Sequence, residues 1–222
     1  MLQFFAKYKP FVIVLGILSV FIIYGMYTAL KPVPKLKVYQ PADFDPELVD
    51  TTLQHVKKYH TISDFALTNQ NGETVTQKTY ENKIYVADFF FTTCQTICPI
   101  MTDHMLEIQK ELKEEKDILL LSHTVTPEID TIAQLKRYAT EKGVDDLKWN
   151  LVTGDKKQIY DLARKSYLVV KDIPGVESYG MIHTENFVLV DPQRRIRGLY
   201  DGTDPEEIQR LLEDIEILKN EK

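Results

Sequence analysis

Residues 84–99 read Ile84-Tyr85-Val86-Ala87-Asp88-Phe89-Phe90-Phe91-Thr92-Thr93-Cys94-Gln95-Thr96-Ile97-Cys98-Pro99. The first eight are rich in β-branched and aromatic residues, the composition of a strand buried on both faces. Asp88 stands out there, because a carboxylate inside such a strand needs partners or a raised pKa. After the cysteines, Ile97, Met101, Met105, Ile108 and Leu112 recur at helical spacing, so a helix is expected from Ile97 to Lys113. The two cysteines therefore fall where a strand hands over to a helix.

Outward from this junction the same alternation repeats. Asp117 to Val125 reads as a second strand. Ile129 to Lys142 reads as a helix with Ile132, Leu135 and Ala139 on one face and Gly143 at its stop. Trp149 to Val152 is a short strand, and Asp155 caps a helix reaching about Ser166. Asn186–Val190 and Ile196–Tyr200 make a hairpin around Asp191-Pro192. Asp204-Pro205-Glu206-Glu207 opens a last helix running to about Lys219, with a capping carboxylate, a first-turn proline and two glutamates at the positive helix end. Upstream, Phe65-Ala66-Leu67 and Val75 flank the turn signal Asn71-Gly72. Strands alternating with helices define an α/β domain with a mixed sheet flanked by helices.

The 222 residues include two cysteines, which excludes a disulfide-rich scaffold and a four-cysteine zinc site. Residues 1–40 hold five lysines and no acid, leaving 22 bases against 33 acids beyond them. An acidic body argues against nucleic-acid binding, which needs a basic footprint. Phe11 to Leu30 is 20 residues without a charge, about 30 Å as a helix, with twelve Phe, Val, Ile or Leu residues. These favour bilayer insertion by roughly 4–7 kcal/mol before polar residues are counted. A cleaved signal peptide would have a shorter apolar core and a small-x-small site, whereas Tyr27-Thr28-Ala29 is bulky at its first position. The expected organisation is a cytoplasmic tail at 1–10, a single transmembrane anchor at 11–30, a spacer at 31–62 whose prolines 32, 34, 41 and 46 prevent a long helix, and the α/β domain at 63–222. Flanking lysines are nearly balanced, and long domains cross a membrane regardless of them. With only ten residues before the helix and no Arg-rich transit peptide, the expectation is a bacterial inner membrane with the body facing the periplasm.

Cys94 and Cys98 lie at the carboxyl end of a strand, where open α/β sheets form their ligand crevice. A helix amino terminus also lowers a thiol pKa. Four residues apart on a helix, the sulfurs share a face. Such a pair bridges a soft ion such as Cu(I) or closes a disulfide. The bland alternative is two buried apolar fillers. An imidazole would complete a three-coordinate copper shell. His55 and His60 sit in the spacer, His104 faces away from the sulfurs, and His123 reads as a satisfied strand histidine. His183, in the loop Tyr179-Gly180-Met181-Ile182-His183-Thr184, is either a ligand or a plain loop residue on this reading. Met101 and Met105 continue the apolar stripe and read as core.

Two stretches, Phe89 to Pro99 and His183-Thr184-Glu185-Asn186-Phe187-Val188-Leu189-Val190-Asp191, resemble the Sco/SenC proteins, over about residues 63–218. The resemblance implies a membrane-anchored, thioredoxin-like domain that binds one copper ion, Cu(I) or Cu(II), through Cys94, Cys98 and His183. It implies a role in delivering copper to a cytochrome c oxidase subunit or another copper-requiring client. Related proteins are also described as thiol-disulfide reductants, which gives a second reading with Cys94 and Cys98 as a redox-active, disulfide-forming pair. A peroxidase is a third reading, and no residue set beyond the cysteines supports it. Thr126-Pro127 replaces the usual Asp-Pro, and Gln95-Thr96 the usual Pro-Asp; neither change removes a ligand.

Overall fold

The computed structural model describes residues 8–30, 34–46, 49–170 and 184–221. They divide into two compact units, Met1–Lys35 and Leu36–Lys222.

The first unit is the helix α1, Lys9–Leu30. Its large apolar side chains, from Phe11 to Leu30, are all exposed. The hydroxyls of Ser19 and Thr28 donate back to the carbonyls of Leu15 and Gly25, at 2.8 and 2.9 Å. These two hydroxyls are thus satisfied within the helix, as hydrocarbon surroundings require. By length and composition α1 is a candidate membrane span.

The second unit is built on seven strands: β1 (Ala66–Asn69), β2 (Thr74–Thr76), β3 (Ile84–Phe90), β4 (Ile118–Thr124), β5 (Trp149–Thr153), β6 (Asn186–Val190) and β7 (Ile196–Asp201). Their order across the sheet is β2-β1-β5-β4-β3-β6-β7. β3, β4 and β5 are parallel, and the flanking pairs β1·β2, β1·β5, β3·β6 and β6·β7 are antiparallel. The helices are α2 (Ile97–Glu111), α3 (Ile132–Lys142), α4 (Lys156–Asp161) and α5 (Pro205–Asn220). This is the mixed sheet flanked by helices expected from the sequence.

All seven residues of β3 are buried, because apolar layers cover both faces. Tyr85, Ala87 and Phe89 join the layer that contains Ile159 and Tyr160 of α4. Val86 and Phe90 join the opposite layer, with Met101 and Met105 of α2, Leu135 of α3 and Leu211 of α5.

Turn and cap residues act as read. Gly72 has φ +80°, a left-handed turn conformation that costs glycine little. Gly143, at φ +81°, closes α3 by donating to the Ala139 carbonyl at 2.9 Å. Asp155 caps α4 by accepting from the Gln158 N–H at 2.8 Å. Asp204 caps α5 by accepting from the Glu206 N–H at 2.9 Å.

Three details differ from the sequence reading. α3 starts at Ile132, three residues late, because Thr131 is its cap and accepts from the Gln134 N–H. Ile132 is 41% exposed while Leu135 and Ala139 are buried, since the first helical residue lies at the rim of the layer. The helix begun at Lys156 is α-helical only to Asp161 and passes into a π-helical turn, Leu162–Ser166. Among its described residues the proline-bearing stretch ahead of residue 63 forms no long helix, yet from Leu36 onward it belongs to the compact unit. Val49 and Ile62 are buried in the α4-side layer. Tyr39 and Ile62 donate main-chain bonds to Ile196 and Arg194 at 2.9 and 2.8 Å.

Candidate metal centre

β3 ends at Phe90 and α2 begins at Ile97, so both cysteines fall at the carboxyl end of a central parallel strand. Cys94 lies in the connecting loop, where its N–H donates to the Phe91 carbonyl at 3.2 Å. Cys98 is the second residue of α2 and is buried against the layer of Met101 and Met105. Only one sulfur is therefore on the helix. The shared helical face expected from their spacing is replaced by a loop that turns back toward the first turn of α2. Both cysteines are free thiols.

The two thiols are chemically unlike. Burial works to raise the Cys94 pKa, but the hydroxyl and N–H of Thr96 and the N–H and thiol of Cys98 outweigh it, lowering the value to about 7. The Cys94 sulfur lies 3.5 Å from the Thr96 hydroxyl. Burial pushes the Cys98 thiol up to about 12, with Cys94 and Asp88 adding to the rise and a Phe91 backbone bond opposing it. The half-buried sulfur is thus the readily ionised one, and the buried sulfur holds its proton.

Asp88, on the α2-side face of β3, is 3% exposed, and one carboxyl oxygen finds no hydrogen-bond partner among the described residues. Burial raises its pKa to about 7, partly offset by Ser122. Met101 and Met105 are 1% and 0% exposed, in the core as their spacing indicated.

Four of the five histidines are in view. His55 is exposed. His60 Nε2 lies 2.8 Å from the Ser166 carbonyl, and His104 Nδ1 lies 2.7 Å from the Gly202 carbonyl. His123 is fully buried on the α4 side, stacked on Phe89 at 4.7 Å. His183 lies outside the described residues. Among the described residues no group of three or more histidine, cysteine or acidic side chains is arranged to hold a metal ion. The described donor set is the sulfur pair, which suits a soft ion. The sequence reading passed over Asp130, which contacts the cysteine loop; its spacing from Thr124 and Thr126 was the available signal.

A mixed sheet with helices on both faces and a Cys-x-x-x-Cys pair at a strand-to-helix junction defines a thioredoxin-like thiol domain. The model of the SCO1/SenC family matches residues 54–219, so the chain belongs to that family. It is 33% identical over 156 residues to the SCO1 protein homolog of Bacillus subtilis, covering 69% of this chain and 80% of that one. Among solved structures it resembles BsSco, described as carrying a disulfide switch and as a member of the Sco family of cytochrome c oxidase assembly proteins. That match has a TM-score of 0.62 and 31% identity, and covers 73% of this chain and 95% of BsSco. It also resembles Bradyrhizobium japonicum ScoI with copper bound, with a TM-score of 0.55 and 28% identity over 70% of this chain and 98% of ScoI.

Proposed function

We propose that this protein is a membrane-anchored copper metallochaperone that assists assembly of the copper centre of cytochrome c oxidase, with copper as its cargo. The observation that supports it most directly is the pairing of a low-pKa thiol, Cys94, with Cys98 at the carboxyl end of β3. Copper in the related ScoI structure supports the choice of ion. Cys94 and Cys98 supply two soft donors, and His183 is the proposed third ligand. Metal binding releases the Cys98 proton, so affinity rises with pH. In this reading α1 is a single-pass anchor in a bacterial inner membrane, residues 1–10 are cytoplasmic and the body faces the periplasm. Tethering raises the effective concentration of the carrier beside a membrane-bound client.

The test is titration of the detergent-solubilised chain with Cu(I) against a competing chelator. Cys94→Ser and Cys98→Ser each abolish tight binding, and His183→Ala weakens it. Unchanged stoichiometry and affinity in both cysteine variants would sink the proposal.

The thiol asymmetry also favours a second reading, a thiol-disulfide reductase in which Cys94 attacks a client disulfide and Cys98 resolves the mixed disulfide. A His183→Ala strain separates the two. Normally reduced client thiols alongside failed copper binding make the redox role primary.

A further inference from the structure

The loop between β3 and α2 is tied to the rest of the domain through one buried carboxylate. Asp130 is 0% exposed. Its Oδ1 accepts from the Thr92 hydroxyl at 2.5 Å, and its Oδ2 accepts from the Thr92 N–H at 3.2 Å. Oδ2 also accepts from the hydroxyls of Thr124 and Thr126, the latter at 3.1 Å. Four hydrogen bonds thus converge on one carboxylate, one on Oδ1 and three on Oδ2. The Thr92 hydroxyl in turn accepts from Gln134 Nε2 in the first turn of α3, at 3.0 Å.

The bonds from Thr124 and Thr126 are local and close the turn after β4. Those from Thr92 reach across 38 residues of sequence and end two residues before Cys94. The bonds that Cys94 makes to the Phe91 carbonyl and the Thr96 hydroxyl lie inside the loop, and those from the N–H and thiol of Cys98 come from the first turn of α2, so none of them ties the loop to the segment after β4. Thr92 is held by Asp130, between β4 and α3, and by Gln134, in the first turn of α3.

We infer that Asp130 is a positioning residue for the sulfur pair: its hold on Thr92 fixes the loop so that Cys94 meets Cys98 at the separation needed to share a soft metal ion or to join as a disulfide. The inference rests on the reading of Cys94 and Cys98 as the working pair. A loop fixed in advance loses little freedom when the sulfurs are bridged, and a loosened loop loses more. The effect is carried by main-chain position, so it acts equally on metal ligation and on disulfide closure.

The experiment uses the full metal-free chain in detergent, equilibrated with glutathione. Cys94 and Cys98 give two electrons and two protons to oxidised glutathione, which leaves as two reduced molecules while the sulfurs join. Thr92→Val and Asp130→Asn are expected to lower the equilibrium constant for disulfide closure roughly tenfold, about 30 mV for this two-electron couple. Both also shift the sulfur-to-copper charge-transfer bands of the Cu(II) form. Tyr200→Phe is the control. It deletes a part-buried hydroxyl bond to Asp214 (2.7 Å) that shares no partner with the bonds holding Thr92, lowers stability and leaves both readouts at wild-type values. Thr92→Val decides the question if Asp130→Asn fails to fold. A folded Thr92→Val with the wild-type constant overturns the inference, and so does an equal shift in Tyr200→Phe. A wild-type chain that binds no copper defeats the chaperone reading, while the disulfide constant still tests Asp130.

Discussion

The ring of His123 lies on one face of the sheet and the carboxyl of Asp88 on the other, yet His123 Nδ1 donates to the Asp88 main-chain carbonyl at 3.2 Å. A carbonyl only accepts, so Nδ1 carries the proton, and Nε2 is left without a partner among the described residues. Two buried ionisable groups therefore sit on neighbouring strands, each pushed by burial toward its neutral form.

For Asp88 the folded pKa, about 7, lies above the unfolded value of 3.8. Its contribution to stability is complete below about pH 4 and is lost as pH rises through 7. Asp88→Asn is expected to be more stable than wild type at pH 7.5, by about 2–4 kcal/mol. Urea unfolding of metal-free protein at pH 5 and 7.5 measures this; an equally stable or weaker variant at pH 7.5 refutes it.

His123 has the opposite sign. Burial lowers its pKa from 6.5 to about 4, so its contribution is complete above 6.5 and is lost as pH falls through 4. His123→Phe is expected to flatten the acid limb of the stability profile between pH 6.5 and 4. The check is the thermal midpoint across that range, and a limb as steep as wild type contradicts it.

The thiols should react in order. In reduced, metal-free protein, iodoacetamide is expected to label Cys94 first, with a rate that rises through a midpoint near pH 7, while Cys98 stays protected until much higher pH. Peptide mass spectrometry after timed quenching gives both rates. Equal labelling at pH 7 rules out the asymmetry.

Arg197, 4% exposed, gathers the carboxylates of Asp191 (3.1 Å) and Glu221 (2.5 Å) and the carbonyls of Leu36 (2.8 Å) and Lys37 (3.2 Å). Arg195 also binds Asp191, at 2.7 Å, so removing Arg197 leaves that carboxylate partly paired. Arg197→Met is expected to cost about 3 kcal/mol, the low end for breaking a buried pair. Amide exchange at Tyr39, whose N–H donates to Ile196, should speed up with it. Unchanged exchange at Tyr39 would separate the arginine from the packing of that segment.

Deleting residues 1–35 removes α1 and leaves the unit that begins at Leu36. The shortened chain is expected to leave the membrane fraction on cell breakage and to unfold cooperatively at nearly the full-length midpoint. Retention in carbonate-washed membranes counts against α1 as the anchor.

Much of this was legible from local chemistry. The run from Ile84 to Phe91 declared a doubly covered strand, because nearly every side chain in it profits from burial. Gly143, Asp155 and Asp204 marked helix ends because left-handed backbone and exposed helix N–H groups have few residue solutions. Ile132 was misplaced because periodicity assigns a face without saying how far the covering layer extends. The π-helical turn at Leu162–Ser166 was invisible, since Ala163 and Ser166 suit an α-helix equally well. The packing of Val49 and Ile62 was hidden behind prolines, which forbid a helix and say nothing of burial.

By itself the sequence determined the order of strands and helices, the apolar α1 and the placing of both cysteines at a strand-to-helix junction, all set by neighbours within a few residues. The inequality of the two thiols, the isolation of Asp88 and His123 in the core and the grip of Asp130 on Thr92 were decided by tertiary structure. A pKa and a buried hydrogen bond depend on solvent exclusion and on groups brought together from distant parts of the chain, and linear spacing encodes neither.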